Sequence, residues 1–143
     1  MNISPEIYAE ICKQSAFICA LVAGFSFAFL GALLVTPVYN RVVDWVMSFS
    51  IMSIAGLLIC ALAWTLSASR MELYIGINVS NVPQTYINLH KTLSLIFVLS
   101  FFFFLVTLAL SGWIRSRKIG IFSSLISIIA IIFFIVIMRH FVT

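Results

Sequence analysis

The sequence predicts an all-α fold: an integral membrane four-helix bundle made of two transmembrane hairpins, with helix one extended beyond the bilayer at its N-terminal end. Three observations carry this expectation. Of the 143 residues, 64% are apolar and only 8% are charged, against about 25% charged in an ordinary soluble domain. Such a chain cannot clothe a water-exposed surface, so its apolar area must face lipid. The apolar residues also fall into four uncharged stretches, Ser15 to Val35, Trp45 to Leu66, Leu93 to Trp113 and Ile119 to Met138, each with about the 20 residues that span hydrocarbon. Finally, Lys, Arg, Asp and Glu all lie at the ends of these stretches or between them.

Helix one is expected from Pro5 to about Val35. Ser4 offers a hydroxyl to cap free amides, and Pro5 suits the first helical position. The first turns, residues 1–14, then form a helical extension beyond the hydrocarbon. Glu6 and Glu10 precede the apolar run, and Lys13 is its only basic neighbour, so the stretch reads as a retained span rather than a cleaved leader. Thr36-Pro37 ends helix one. Arg41 and Asp44 mark the short turn to helix two, and the first hairpin occupies residues 15–66. Trp45 and Trp64 bracket helix two about 28 Å apart, which places both rings near the two interfaces.

Residues 67–92 form a polar connecting segment, in which Met71 to Asn78 fits either a short strand or an interfacial segment. Asn78-Val79-Ser80 matches a glycosylation acceptor, a triplet that matters only in a eukaryotic secretory setting. The second hairpin, residues 93–143, turns at Arg115, Arg117 and Lys118. These three cations in one short turn favour a cytoplasmic short-turn side and both termini outside. The competing default keeps a leaderless N-terminal tail in the cytoplasm.

Composition narrows function more by exclusion than by motif. The net charge of +4 comes from singly scattered Lys and Arg that form no basic patch, so no nucleic-acid partner is expected. No ionisable residue and no proline falls within a span, which argues against a proton- or sodium-coupled transporter. No nucleophile stands beside a base, and there is no phosphate-cradling glycine loop or metal-spaced Cys and His cluster, so neither enzyme activity nor a cofactor or metal is expected. Cys12, Cys19 and Cys60 are widely separated and imply no disulfide. His90 and His140 fall at the same face of the second hairpin, where they read as interfacial residues; a pair of axial haem ligands is the remote alternative.

The most informative pattern is a run of small residues on helix one: Ala16, Ala20, Gly24, Ala28 and Ala32, with Gly31 beside it. In lipid, close backbone approach at small faces is a main source of helix association. Helix two carries a second seam, Ser53, Gly56, Cys60 and Ala63, continued by Ser67. The stripe on helix one serves either a contact with helix two or a neighbour from another subunit, and its length favours a homo-oligomer. By contrast, Phe101 to Phe104 surround helix three and suit lipid or a thick apolar interface, which makes the first hairpin central and the second peripheral.

At 100° per residue from Ala16, the small residues Ala20, Gly24 and Ala28 fall at about 40°, 80° and 120°, and Lys13, Glu6 and Glu10 at about 60°, 80° and 120°. Glu6, Glu10 and Lys13 therefore form a candidate pore mouth leading into an apolar throat. In outline, four spans with a helical extension before the first resemble the store-operated calcium channels, whose first helices line the pore; their intramembrane glutamate has no counterpart here, and the likeness carries no residue across. The expected function is a small oligomeric module of a plasma or inner membrane that forms or controls an ion-conducting pore. The alternative is a non-conducting accessory, assembly or immunity-type protein that binds another membrane protein, with a haem-binding electron-transfer subunit third.

Overall fold

The computed structural model describes residues 4–35, 41–77 and 81–142, with the side chains of Arg115 and of residues 137–142 excepted. They form four helices: α1 (Pro5–Val35), α2 (Arg41–Gly76), α3 (Gln84–Arg115) and α4 (Arg117–Val142). There is no strand among the described residues. The helices hold 31, 36, 32 and 26 residues, which at 1.5 Å per residue gives about 46, 54, 48 and 39 Å. All four exceed the roughly 30 Å of a hydrocarbon core, and all four are apolar enough to cross a membrane.

The polar connection is therefore mostly helix. α2 continues past Leu66 to Gly76, and α3 starts at Gln84, so residues 71–76 are helical rather than a strand. Three helices, not α1 alone, carry extensions, because Met71, Tyr74 and Tyr86 have a core to pack against there. Thr36-Pro37 and Asn78-Val79-Ser80 lie outside the described residues, as does the side chain of His140.

The chain divides into two compact units, Met1–Phe25 with Ile54–Ser100 and Ser26–Ser53 with Phe101–Thr143. In the first, α1, α2 and α3 close on a core that includes Tyr8, Cys12, Cys19, Leu57, Cys60 and Met71. α2 and α3 run antiparallel: Gly56 meets Ser100, the Cys60 thiol lies 3.5 Å from the Leu93 carbonyl, Trp64 meets His90 and Tyr74 meets Tyr86. Two members of the seam expected on helix two, Gly56 and Cys60, thus face α3. Ser53, Cys60 and Ser67 on the seam are fully buried, and Gly56 and Ala63 are half-buried.

In the second unit α3 and α4 form a tight hairpin around a single non-helical residue, Ser116. Its hydroxyl accepts from the Ile119 amide at 3.3 Å and its carbonyl from the Gly120 amide at 2.9 Å, starting α4. Glycine is required on both sides of this corner. A Cβ at Gly112 would lie 2.7 Å from the Ile119 carbonyl oxygen, and one at Gly120 would lie 2.6 Å from the Trp113 ring. The Ser123 hydroxyl donates to the Leu108 and Ala109 carbonyls, and the Trp113 indole N–H donates to Ser124 Oγ at 3.1 Å.

The phenylalanine run is less outward-facing than its composition implies. Phe101 packs on Phe134 with ring centroids 5.0 Å apart, Phe103 stacks on Phe49 at 5.8 Å, and Phe102 is the exposed member. Of the four helices, α2 is the most buried and α4 the least.

Candidate functional site

A single helix, α1, carries both faces that matter. Its inner face is Tyr8, Cys12, Ala16, Cys19, Ala23 and Ser26, at the three- and four-residue spacing of one helical stripe, and all six are buried. The small stripe read from the sequence lies beside this face rather than on it. Ala16 is shared, but Ala20, Gly24, Ala28, Gly31 and Ala32 are exposed. A Cβ built at Gly24 or Gly31 meets nothing within 4 Å. Of this stripe the buried inner face takes in Ala16, and its other positions are Cys19, Ala23 and Ser26, which are small enough for close packing too.

The charged residues before the span, Glu6, Glu10 and Lys13, are also exposed. Glu10 accepts from the Gln14 amide at 3.1 Å, while Lys13 Nζ reaches Glu72 Oε1 on α2 at 2.7 Å. Both members of this ion pair are half-exposed, which places its contribution at about 0 to 1 kcal/mol. Glu6 has its acidic charge in the first turn of α1, where it complements the positive end of the helix dipole.

Sequence reasoning missed a polar knot that ties three helices together. Trp64 is buried, and its indole N–H donates to His90 Nδ1 at 3.2 Å. That makes Nδ1 an acceptor, so the imidazole is neutral with its proton on Nε2. His90 in turn lies edge-on to the Tyr8 ring at 5.7 Å, and the Tyr8 hydroxyl donates to the Tyr86 carbonyl at 2.8 Å. Tyr74 closes the group edge-on to Tyr86 at 6.0 Å. His90 is thus an internal acceptor through Nδ1. One signal was present in the sequence: Tyr8 and His90 sit about one to two turns outside the uncharged stretches, and Trp64 lies two residues inside the end of its own.

The α1–α2 side of the first unit holds an open groove of about 510 Å³. Its floor is Ala16, Ala20, Ala61 and Ala68, Phe17 and Leu62 rise beside it, and the Lys13–Glu72 pair stands at one end. Hydroxyls along the helices are mostly turned back on themselves. Thr65, Ser67, Ser69, Ser94, Ser100 and Thr107 each donate to the carbonyl four residues earlier. Ser50 and Ser53 differ, being buried with no hydrogen-bond partner among the described residues.

Cys12, Cys19 and Cys60 are free and buried. Among the described residues no group of three His, Cys, Asp or Glu side chains is placed to hold a metal ion. No protein-family model, curated protein or solved structure matches the chain.

Proposed function

We propose that this chain is a multi-pass membrane protein that works by helix association: α1 docks a second copy, and the oligomer forms or controls an ion-conducting path. The observation that carries this reading is the exposure of Gly24, Ala28 and Gly31 along one helix, with open space at both glycines. Small residues facing only lipid add nothing to the fold of a single chain. Against another helix they permit backbone approach close enough for van der Waals packing to drive association. Glu6 and Glu10, exposed at the same end of α1, supply the charged mouth of such a path, and the apolar span beyond them supplies a throat closed by dewetting.

The test is the mass of the detergent-purified protein together with current across planar bilayers. Gly24→Ile is expected to shift the oligomer toward monomer, Lys13→Glu to change ion preference and Gly24→Ser to ease opening. A monomeric native protein that is silent in bilayers would refute the reading.

A second reading, a non-conducting accessory protein that binds another membrane protein through the same face, is favoured by one observation. Lys13 is engaged with Glu72, which draws the cation away from a mouth ring and uses it to fasten α1 to α2. Co-purification of a different membrane protein, lost on Gly24→Ile, would decide for it.

A further inference from the structure

The groove between α1 and α2 combines two properties that restrict what can lie in it. Along its length the surface is chemically silent: the alanine floor has no polar side chain, and the Thr65 and Ser69 hydroxyls on its wall already donate to the Ala61 and Thr65 carbonyls. At one end stand an ammonium and a carboxylate, Lys13 and Glu72, paired at 2.7 Å with about half of each side chain still exposed. A ligand bearing a single charge would use the spare valence of one member only and meet the like charge of the other. A zwitterion adds one partner to each, because the ammonium has further N–H donors and the carboxylate further lone pairs. The occupant that fits is therefore long and apolar, with an anion and a cation together at one end.

We propose that the groove holds one aminophospholipid of the surrounding bilayer, an acyl chain lying over Ala16, Ala20 and Ala61, with the headgroup phosphate on Lys13 and its ammonium on Glu72. From Leu58 to Glu72 the α2 wall is about 21 Å long at 1.5 Å per residue. The hydrocarbon half-thickness is roughly 15 Å, so one leaflet's acyl chain lies lengthwise in the groove while the charge pair meets headgroup depth. The inference rests on the membrane-insertion part of the function proposed above and not on association through α1.

The experiment begins with carbonate extraction of membranes that contain the full chain. Release into the soluble fraction would overturn membrane insertion and the lipid site together. With the protein retained, native mass spectrometry follows in an equimolar mixture of phosphatidylethanolamine and phosphatidylglycerol. One phosphatidylethanolamine per chain is expected to survive. Its retention is expected to fall at least about fivefold with Ala20→Phe, which fills the groove, and with Glu72→Ala, which removes the ammonium's partner. The double reversal Lys13→Glu with Glu72→Lys keeps a charge of each sign and is expected to restore most of the retention. Equal retention of phosphatidylglycerol, or undiminished phosphatidylethanolamine on Ala20→Phe, would overturn the lipid site alone. So would a disulfide-linked dimer formed by Thr65→Cys in native membranes, which would place a second copy in the groove instead.

Discussion

Replacing Gly56 by alanine adds a single methyl group, and its position is fixed by the backbone. The new Cβ would overlap Ser100 Oγ and come within 3.0 Å of Ser100 Cβ, whereas carbon atoms in good contact sit about 3.5 to 4.0 Å apart. Ser100 would have to rotate, giving up its 2.8 Å hydrogen bond to the Ile96 carbonyl, a loss of about 0.5 to 1.5 kcal/mol. Rotation does not relieve the approach of the two Cβ atoms, so α2 and α3 must also separate by a few tenths of an ångström. Overpacking of this kind costs about 1 to 3 kcal/mol. Against it stands a gain of about 1 kcal/mol from alanine's higher helix propensity. The net expectation is a loss of about 1 to 3 kcal/mol, read in detergent as a fall in melting temperature of about 2 to 4 °C per kcal/mol. Gly76→Ala is the control, since its Cβ meets nothing and Gly76 lies outside the face proposed to dock a second copy. Adding Ser100→Ala to Gly56→Ala should recover part of the loss by removing the overlapping oxygen. The reasoning is refuted if the two glycine variants melt alike, or if Ser100→Ala recovers nothing.

Trp64→Phe deletes the donor to His90 Nδ1 while keeping most of the ring, and is expected to cost about 1 to 3 kcal/mol because the buried acceptor is left unpaired; a melt within 1 °C of native would show that the bond carries nothing. Tyr8→Phe, which removes the hydroxyl bound to the Tyr86 carbonyl, should cost about 0.5 to 1.5 kcal/mol by the same measurement. At the α3–α4 corner Gly120→Ala meets the Trp113 ring, and limited proteolysis near Ser116 should speed up as the corner opens, an effect absent from Gly76→Ala, where the space is free. Ser50→Ala and Ser53→Ala each delete a buried, unpartnered hydroxyl, so each is expected to leave stability unchanged or raise it by up to about 1 kcal/mol; a clear loss would mean that the hydroxyl is satisfied by bound water.

The four helices were legible because a spanning segment announces itself by length and by the absence of charge, and both are local properties of the sequence. Helix ends were harder. The charges at Arg70, Glu72 and Lys91 mark where an apolar run stops, but a helix continues as long as its backbone bonds and side-chain contacts continue, and Met71, Tyr74 and Tyr86 supply those contacts between helices. The same limit hid the role of Trp64. An aromatic at the end of an apolar run is usually an interface anchor, and only the neighbouring extension brings His90 within reach of its N–H.

The faces of α1 show where composition misleads about packing. Four-residue spacing of Ala and Gly selects a stripe that drifts about 40° with each step, so Ala16 to Ala32 wind around the helix instead of keeping to one side. The buried stripe mixes steps of three and four, through Tyr8, Cys12, Ala16, Cys19, Ala23 and Ser26, and so holds its direction. Residue size alone could not separate the two, since Cys, Ala and Ser are nearly as small as the Ala and Gly beside them. The consequence is a division of labour along one helix: the regular three-four stripe builds the single chain, and the winding stripe is left for whatever packs on α1 from outside. Near Lys13 and Glu72 the proposed lipid meets this stripe at Ala16 and Ala20, and farther along, at Gly24, Ala28 and Gly31, the proposed second copy meets it. Ala20→Phe and Gly24→Ile, one turn apart, should accordingly separate loss of lipid from loss of oligomer.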